Sequence, residues 1–61
     1  MRYFKGDVIT NSGTDYTVKT GMIQDMLLCA SEQGVYTFFS AHEVSLKYRP
    51  LLNKIKALFF R

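Results

Sequence analysis

Short runs of alternating apolar and polar residues, each closed by turn residues after eight to ten positions, dominate the first forty-odd residues and predict antiparallel strands. Val8-Ile9-Thr10 is a β-branched run that follows Gly6-Asp7. Asn11-Ser12-Gly13-Thr14 ends it, with a glycine free to take positive φ and with Asn and Ser side chains able to bond their own backbone. Tyr16-Thr17-Val18-Lys19-Thr20 alternates cleanly, which predicts Tyr16 and Val18 inward and Thr17 and Lys19 outward. Gly21 allows a bend or bulge. Met26 to Ser31 reads as a third strand, nearly apolar on both faces, with Leu28 expected in the core. Glu32-Gln33-Gly34 is a hairpin turn, and Val35 to Ala41 an aromatic-rich fourth strand. Placing Val35, Phe39 and Ala41 in the core puts Tyr36 and Phe38 on the outer face of the sheet. After a tight turn at Ala41-His42-Glu43, strict alternation groups Val44, Leu46 and Tyr48 on one face and Ser45, Lys47 and Arg49 on the other.

At Pro50 the period changes. Proline ends the strand and suits the first position of a helix, where its missing N–H costs nothing. On a helical wheel Leu51, Leu52, Ile55, Leu58 and Phe59 fall within an arc of roughly 120°, opposite Asn53, Lys54, Ala57 and Arg61. Such a short amphipathic helix is marginal alone and must dock. Its expected floor is the outer sheet face, where Tyr36 and Phe38 would lie beneath the stripe. Phe60 falls on the polar side and is left unexplained by that docking.

Strands in this order, with a one-turn helix before the last, resemble the small SH3-like barrels. Phe4-Lys5-Gly6-Asp7-Val8 is similar to the aromatic-x-Gly-Asp-Val opening of Tudor and KOW barrels, Tyr16-x-Val18 and Asp25-x-Leu27-Leu28 fit a second and third strand, and Phe39-Ser40-Ala41-His42-Glu43-Val44 resembles the strand–turn–strand close. The resemblance covers residues 3 to 48 as a pattern of roles, without a diagnostic motif. It implies a mainly β chain with a five-stranded SH3-like barrel over about residues 3–49; the C-terminal amphipathic α-helix over about 50–60, read from the change of period, departs from the minimal barrel and completes a single domain of residues 1–61. It does not imply a function, since such barrels bind RNA, DNA, peptides and proteins.

Size narrows the picture. A chain of 61 residues buries only about 60% of the surface its unfolded form exposes, so stability is marginal. Cys29 is the only cysteine, which excludes an internal disulfide and reads as a small buried hydrophobe in a reducing compartment. Gly6-Asp7 stands where a signal peptide would need an apolar segment, and Met1 opens the chain, so a complete cytoplasmic product is expected. No apolar run approaches the ~20 residues of a membrane span, and no membrane partner is expected.

The net charge of +3 is unevenly placed. Lys47, Arg49, Lys54, Lys56 and Arg61 make the C-terminal quarter cationic with no acid among them, whereas the body before it is slightly acidic. That asymmetry points to an anionic partner or to a solvated helix face.

Catalysis needs a positioned base or nucleophile, a metal, or a cofactor cradle. His42 is the only histidine, so Cys29 and His42 fall short of a zinc ligand set, and the glycines at 6, 13, 21 and 34 stand one per turn rather than in a phosphate-binding loop. The expectation is no enzyme, no catalytic residue, no metal and no cofactor, with His42 a surface turn residue.

Binding remains. Exposed Tyr36 and Phe38 would stack bases or fill a protein pocket. Tyr3 and Tyr48 beside Arg2, Lys47 and Arg49 form a second aromatic–basic mixture. The first reading is a small module acting by protein–protein contact through Tyr36, Phe38, Lys47, Arg49, Lys54, Lys56, Phe60 and Arg61, such as a phage or mobile-element regulator of a host protein. The alternative is a nucleic-acid-binding barrel that uses the basic C-terminal cluster. Homo-oligomerisation suits either, because a marginal core gains by sharing an apolar face.

Overall fold

A computed structural model describes residues 2–59. Five antiparallel strands form one sheet, β1 (Val8–Asn11), β2 (Thr14–Val18), β3 (Met26–Ser31), β4 (Tyr36–Ser40) and β5 (Ser45–Tyr48), followed by α1 (Leu51–Phe59). The sheet order is β4-β3-β2-β1-β5. The mainly β class, the strand count and the C-terminal helix are as the sequence predicts, and the arrangement is compatible with a small barrel. The sheet does not close, however: β4 and β5 remain its two edges.

Local chemistry explains the turns. Ser12 and Gly13 both take positive φ, 52° and 81°, between the paired residues Asn11 and Thr14. That is the two-residue turn whose twist matches the flanking strands, and glycine adopts it without a Cβ penalty. Between β2 and β3 the positive φ falls on Gln24 at 56°, not on Gly21, in a tight turn where Ile23 and Met26 exchange main-chain hydrogen bonds of 3.1 Å. The link from β4 to β5 is a 3-10 turn at Ala41–Glu43, closed reciprocally. The His42 N–H donates to Ser40 Oγ, and the Ser40 N–H donates to Glu43 Oε2.

The core is Tyr3, Ile9, Val18, Leu27, Cys29, Phe39 and Val44, with Tyr16, Met22, Ala41 and Leu46 packed against it. Tyr16 meets Phe39 edge-on, ring centroids 4.8 Å apart. Phe39 and Ala41 are therefore inward as expected, but Val35 lies before the strand and is exposed. On β3 the expected face is inverted: Leu27 and Cys29 point inward, and Leu28 pairs with Phe38 on the outside. A strand apolar on both faces carries no alternation to read, so its parity comes from its neighbours. Tyr3 also belongs to the core, its hydroxyl donating to the Val44 carbonyl, and it leaves the surface aromatic–basic mixture.

Burial pushes the Cys29 thiol up from its ordinary value. The thiolate is the reactive form, so Cys29 should react with a thiol reagent at neutral pH only after denaturant is added. Labelling at the native rate of a free surface thiol would contradict its placement in the core.

Candidate functional site

A β-bulge decides which charges reach the surface. Ile9 pairs with Leu46 and Val8 with Tyr48, so one extra residue of β5 is accommodated between those pairs. Past the bulge the parity of β5 flips. Tyr48 leaves the face of Val44 and Leu46 and stands opposite Val8, 61% exposed, while Arg49 turns inward, opposite to its expected side.

Inside, Arg49 meets Asp7. The Asp7 side chain is fully buried and the Arg49 side chain 10% exposed. Arg49 Nη2 donates to Asp7 Oδ2 at 2.8 Å, and its Nε approaches both carboxylate oxygens at 3.2 and 3.3 Å. The same Nη2 donates to the Arg2 carbonyl at 2.9 Å, and the guanidinium lies 5.4 Å from the centre of the Phe4 ring. Asp7 also accepts the Phe4 N–H at 2.9 Å and the Asn53 amide at 2.8 Å. Asn53 donates further to the Lys5 carbonyl at 2.9 Å. Gly6 takes φ 96° beside this amide, and a Cβ there would sit 3.6 Å from Asn53 Nδ2. Among the described residues no buried side-chain nitrogen or oxygen lacks a hydrogen-bond partner, which is the condition for keeping charge inside a small fold.

This cluster, not the apolar stripe, holds α1. Asn53 is buried and Ala57 half-buried, four residues apart on one side of the helix. The stripe lies about 180° away and points outward. Leu51, Leu52, Ile55, Leu58 and Phe59 are 44–80% exposed. The expected docking over Tyr36 and Phe38 is thus overturned, and these rings are 60% and 65% exposed. A buried carboxylate and guanidinium require the Asn53 amide more than the stripe requires a floor.

The expected binding residues now separate. Tyr36 and Phe38 stand on the outer face of β4, where Tyr36, Ala30, Thr17, Val8 and Tyr48 follow one another in a row across all five strands. Lys47 is exposed but ion-paired with Asp15, and Arg49 is consumed by Asp7. Lys54 and Lys56 are exposed, and each stands four residues from a stripe residue, Leu58 and Leu52, so Lys54 borders the stripe as Lys56 does rather than lying opposite it. Phe60 and Arg61 lie outside the described residues. No protein-family model, curated protein or solved structure matches this chain. Among the described residues, no group of three or more His, Cys, Asp or Glu side chains gathers, and no helix is long and apolar enough to cross a membrane. A shallow depression lined by Gly13, Thr14, Asp15, Glu32 and Gln33 lies between two hairpin turns, with Asp15 already paired to Lys47.

Sequence reasoning missed Asp7 and Asn53. A signal existed for Asn53: it is an amide on the polar side of a helix that lacks any acid in its first turn. Its partner could not be named without the bulge that brings Arg49 inward.

Proposed function

We propose that the chain is a non-catalytic binding module that acts by protein–protein contact, laying the apolar face of α1 into a groove of a larger protein that it regulates or inhibits. The observation that carries this is the outward stripe of Leu51, Leu52, Ile55, Leu58 and Phe59 on a helix anchored from its opposite side. A nine-residue helix is marginal in water, and anchoring through Asn53 removes much of the ordering cost of presenting it. Helix-in-groove recognition reads anchors at this spacing. Lys54 and Lys56 on either border of the stripe favour a groove with an acidic rim. Ion pairing of Lys47 and Arg49 within the fold weighs against the nucleic-acid reading, which needs those cations for phosphate.

Leu52→Ser combined with Leu58→Ser should leave stability within about 0.5 kcal/mol, as for exposed positions, while abolishing association with the partner. Urea denaturation reads the first, and crosslinking capture of wild type against the variant reads the second. Lys54→Gln with Lys56→Gln should weaken association mainly at low salt. Retention of the wild type on mixed-sequence oligonucleotides, with log K falling as log salt rises, would overturn this reading in favour of nucleic acid.

A further inference from the structure

We propose that β4 is a pairing edge on which a second copy of this chain docks antiparallel, extending the sheet across a two-fold axis at Thr37. The two edges of the sheet are treated differently by the sequence. β5 is blunted by the bulge, by Lys47 and by Pro50 just beyond it, the devices that keep edge strands from pairing. β4 has none of them. Residues 34–41 contain no charge and no proline, and the β3–β4 register runs unbroken from Met26–Ser40 to Ala30–Tyr36.

Hydrogen-bond parity sets the register of docking. The Ser31 N–H donates to the Val35 carbonyl and the Ala41 N–H to the Asp25 carbonyl, so odd-numbered residues of β4 face β3. Tyr36, Phe38 and Ser40 therefore turn their main-chain groups to the open edge, and the Ser40 N–H is already given to Glu43. A two-fold at Thr37 sets Tyr36 opposite Phe38 of the second copy and Phe38 opposite its Tyr36. Each pair then exchanges both main-chain bonds, which uses the edge-facing groups of Tyr36 and Phe38 without calling on Ser40. The same register stacks two Tyr–Phe cross-strand pairs on the outer face, where both rings are exposed, and sets Thr37 against Thr37.

Charge separates this edge from α1 as a self-association surface. Two copies meeting through α1 would bring lysines together with no acid on the helix to offset them, whereas β4 meets β4 without like charges. Pairing consumes both β4 edges and leaves only the blunted β5 edges outside, so assembly closes at the dimer and does not run on into a fibre.

Sedimentation velocity of the full chain over a concentration series tests this. The expected result is a dimer whose fraction rises with concentration, together with slowed amide exchange at Tyr36 and Phe38 over the same range. Phe38→Lys, a change outside the core, should weaken self-association by roughly tenfold or more with an unchanged circular dichroism spectrum. Tyr36→Lys should do the same and serves if the first variant folds poorly. A wild type that stays monomeric at the highest concentration would overturn the proposal. So would a dimer that survives both lysine variants and is lost in Leu52→Lys, because it would then form through α1.

Discussion

Asp7→Ala is expected to leave this domain largely unfolded at room temperature. The carboxylate is fully buried and accepts from Phe4, Arg49 and Asn53 at once. Its removal strands the Arg49 guanidinium, 10% exposed, without its counter-charge, and breaking one side of a buried pair costs about 3–5 kcal/mol. Native domains hold only about 5–15 kcal/mol, and one of this length belongs at the lower end. The loss also frees α1, whose anchoring amide donates to the same carboxylate. Urea titration followed by circular dichroism measures the effect, and exchange at the amides of α1 should rise with it. Asn53→Ala should cost less, about 1–3 kcal/mol, since it leaves hydrogen-bonding groups rather than a charge unsatisfied. Arg49→Lys should not restore stability, because an ammonium cannot reproduce the forked contacts of Nε and Nη2. An Asp7→Ala variant within ~1 kcal/mol of wild type would mean that the cluster does not hold the fold.

Phe39→Ala should be nearly as damaging, at about 3–5 kcal/mol, and Leu27→Ala should cost about 2–5 kcal/mol. Both side chains are in the core and face each other across the β3–β4 ladder, and Phe39 also carries the edge-on contact to Tyr16. Neighbouring Leu28 should cost clearly less on truncation, because it is half-buried on the outer face opposite exposed Phe38. The order of the three, read from urea midpoints with unchanged slopes, tests the parity of β3. A larger loss at Leu28 than at Leu27 would invert that face.

Much of the candidate site was legible, though in fragments. The outward placement of Tyr36 and Phe38 follows from alternation along β4, once Phe39 is taken as core. The amphipathic helix after Pro50 is equally plain, and the structure has it over Leu51–Phe59. Neither pattern says what lies against it. Two apolar surfaces in one chain invite the inference that they cover each other, and here both face outward.

What the amino-acid sequence determined by itself is local. Strand positions, the Ser12-Gly13 turn, the Ala41–Glu43 turn and the helix all come from preferences that act over a few residues, such as side-chain period, positive φ and capping. Tertiary structure alone decided parity and docking. Side chains in a strand alternate with period two, so a single inserted residue between the Ile9–Leu46 and Val8–Tyr48 pairs sends Tyr48 out and Arg49 in. No local preference marks that insertion, because it arises from how β5 is matched to β1. Once Arg49 and Asp7 are buried, their remaining hydrogen-bonding capacity must be met, and the Asn53 amide meets it. That requirement turns the polar side of α1 toward the Lys5–Asp7 segment that precedes β1 and leaves its leucines facing water.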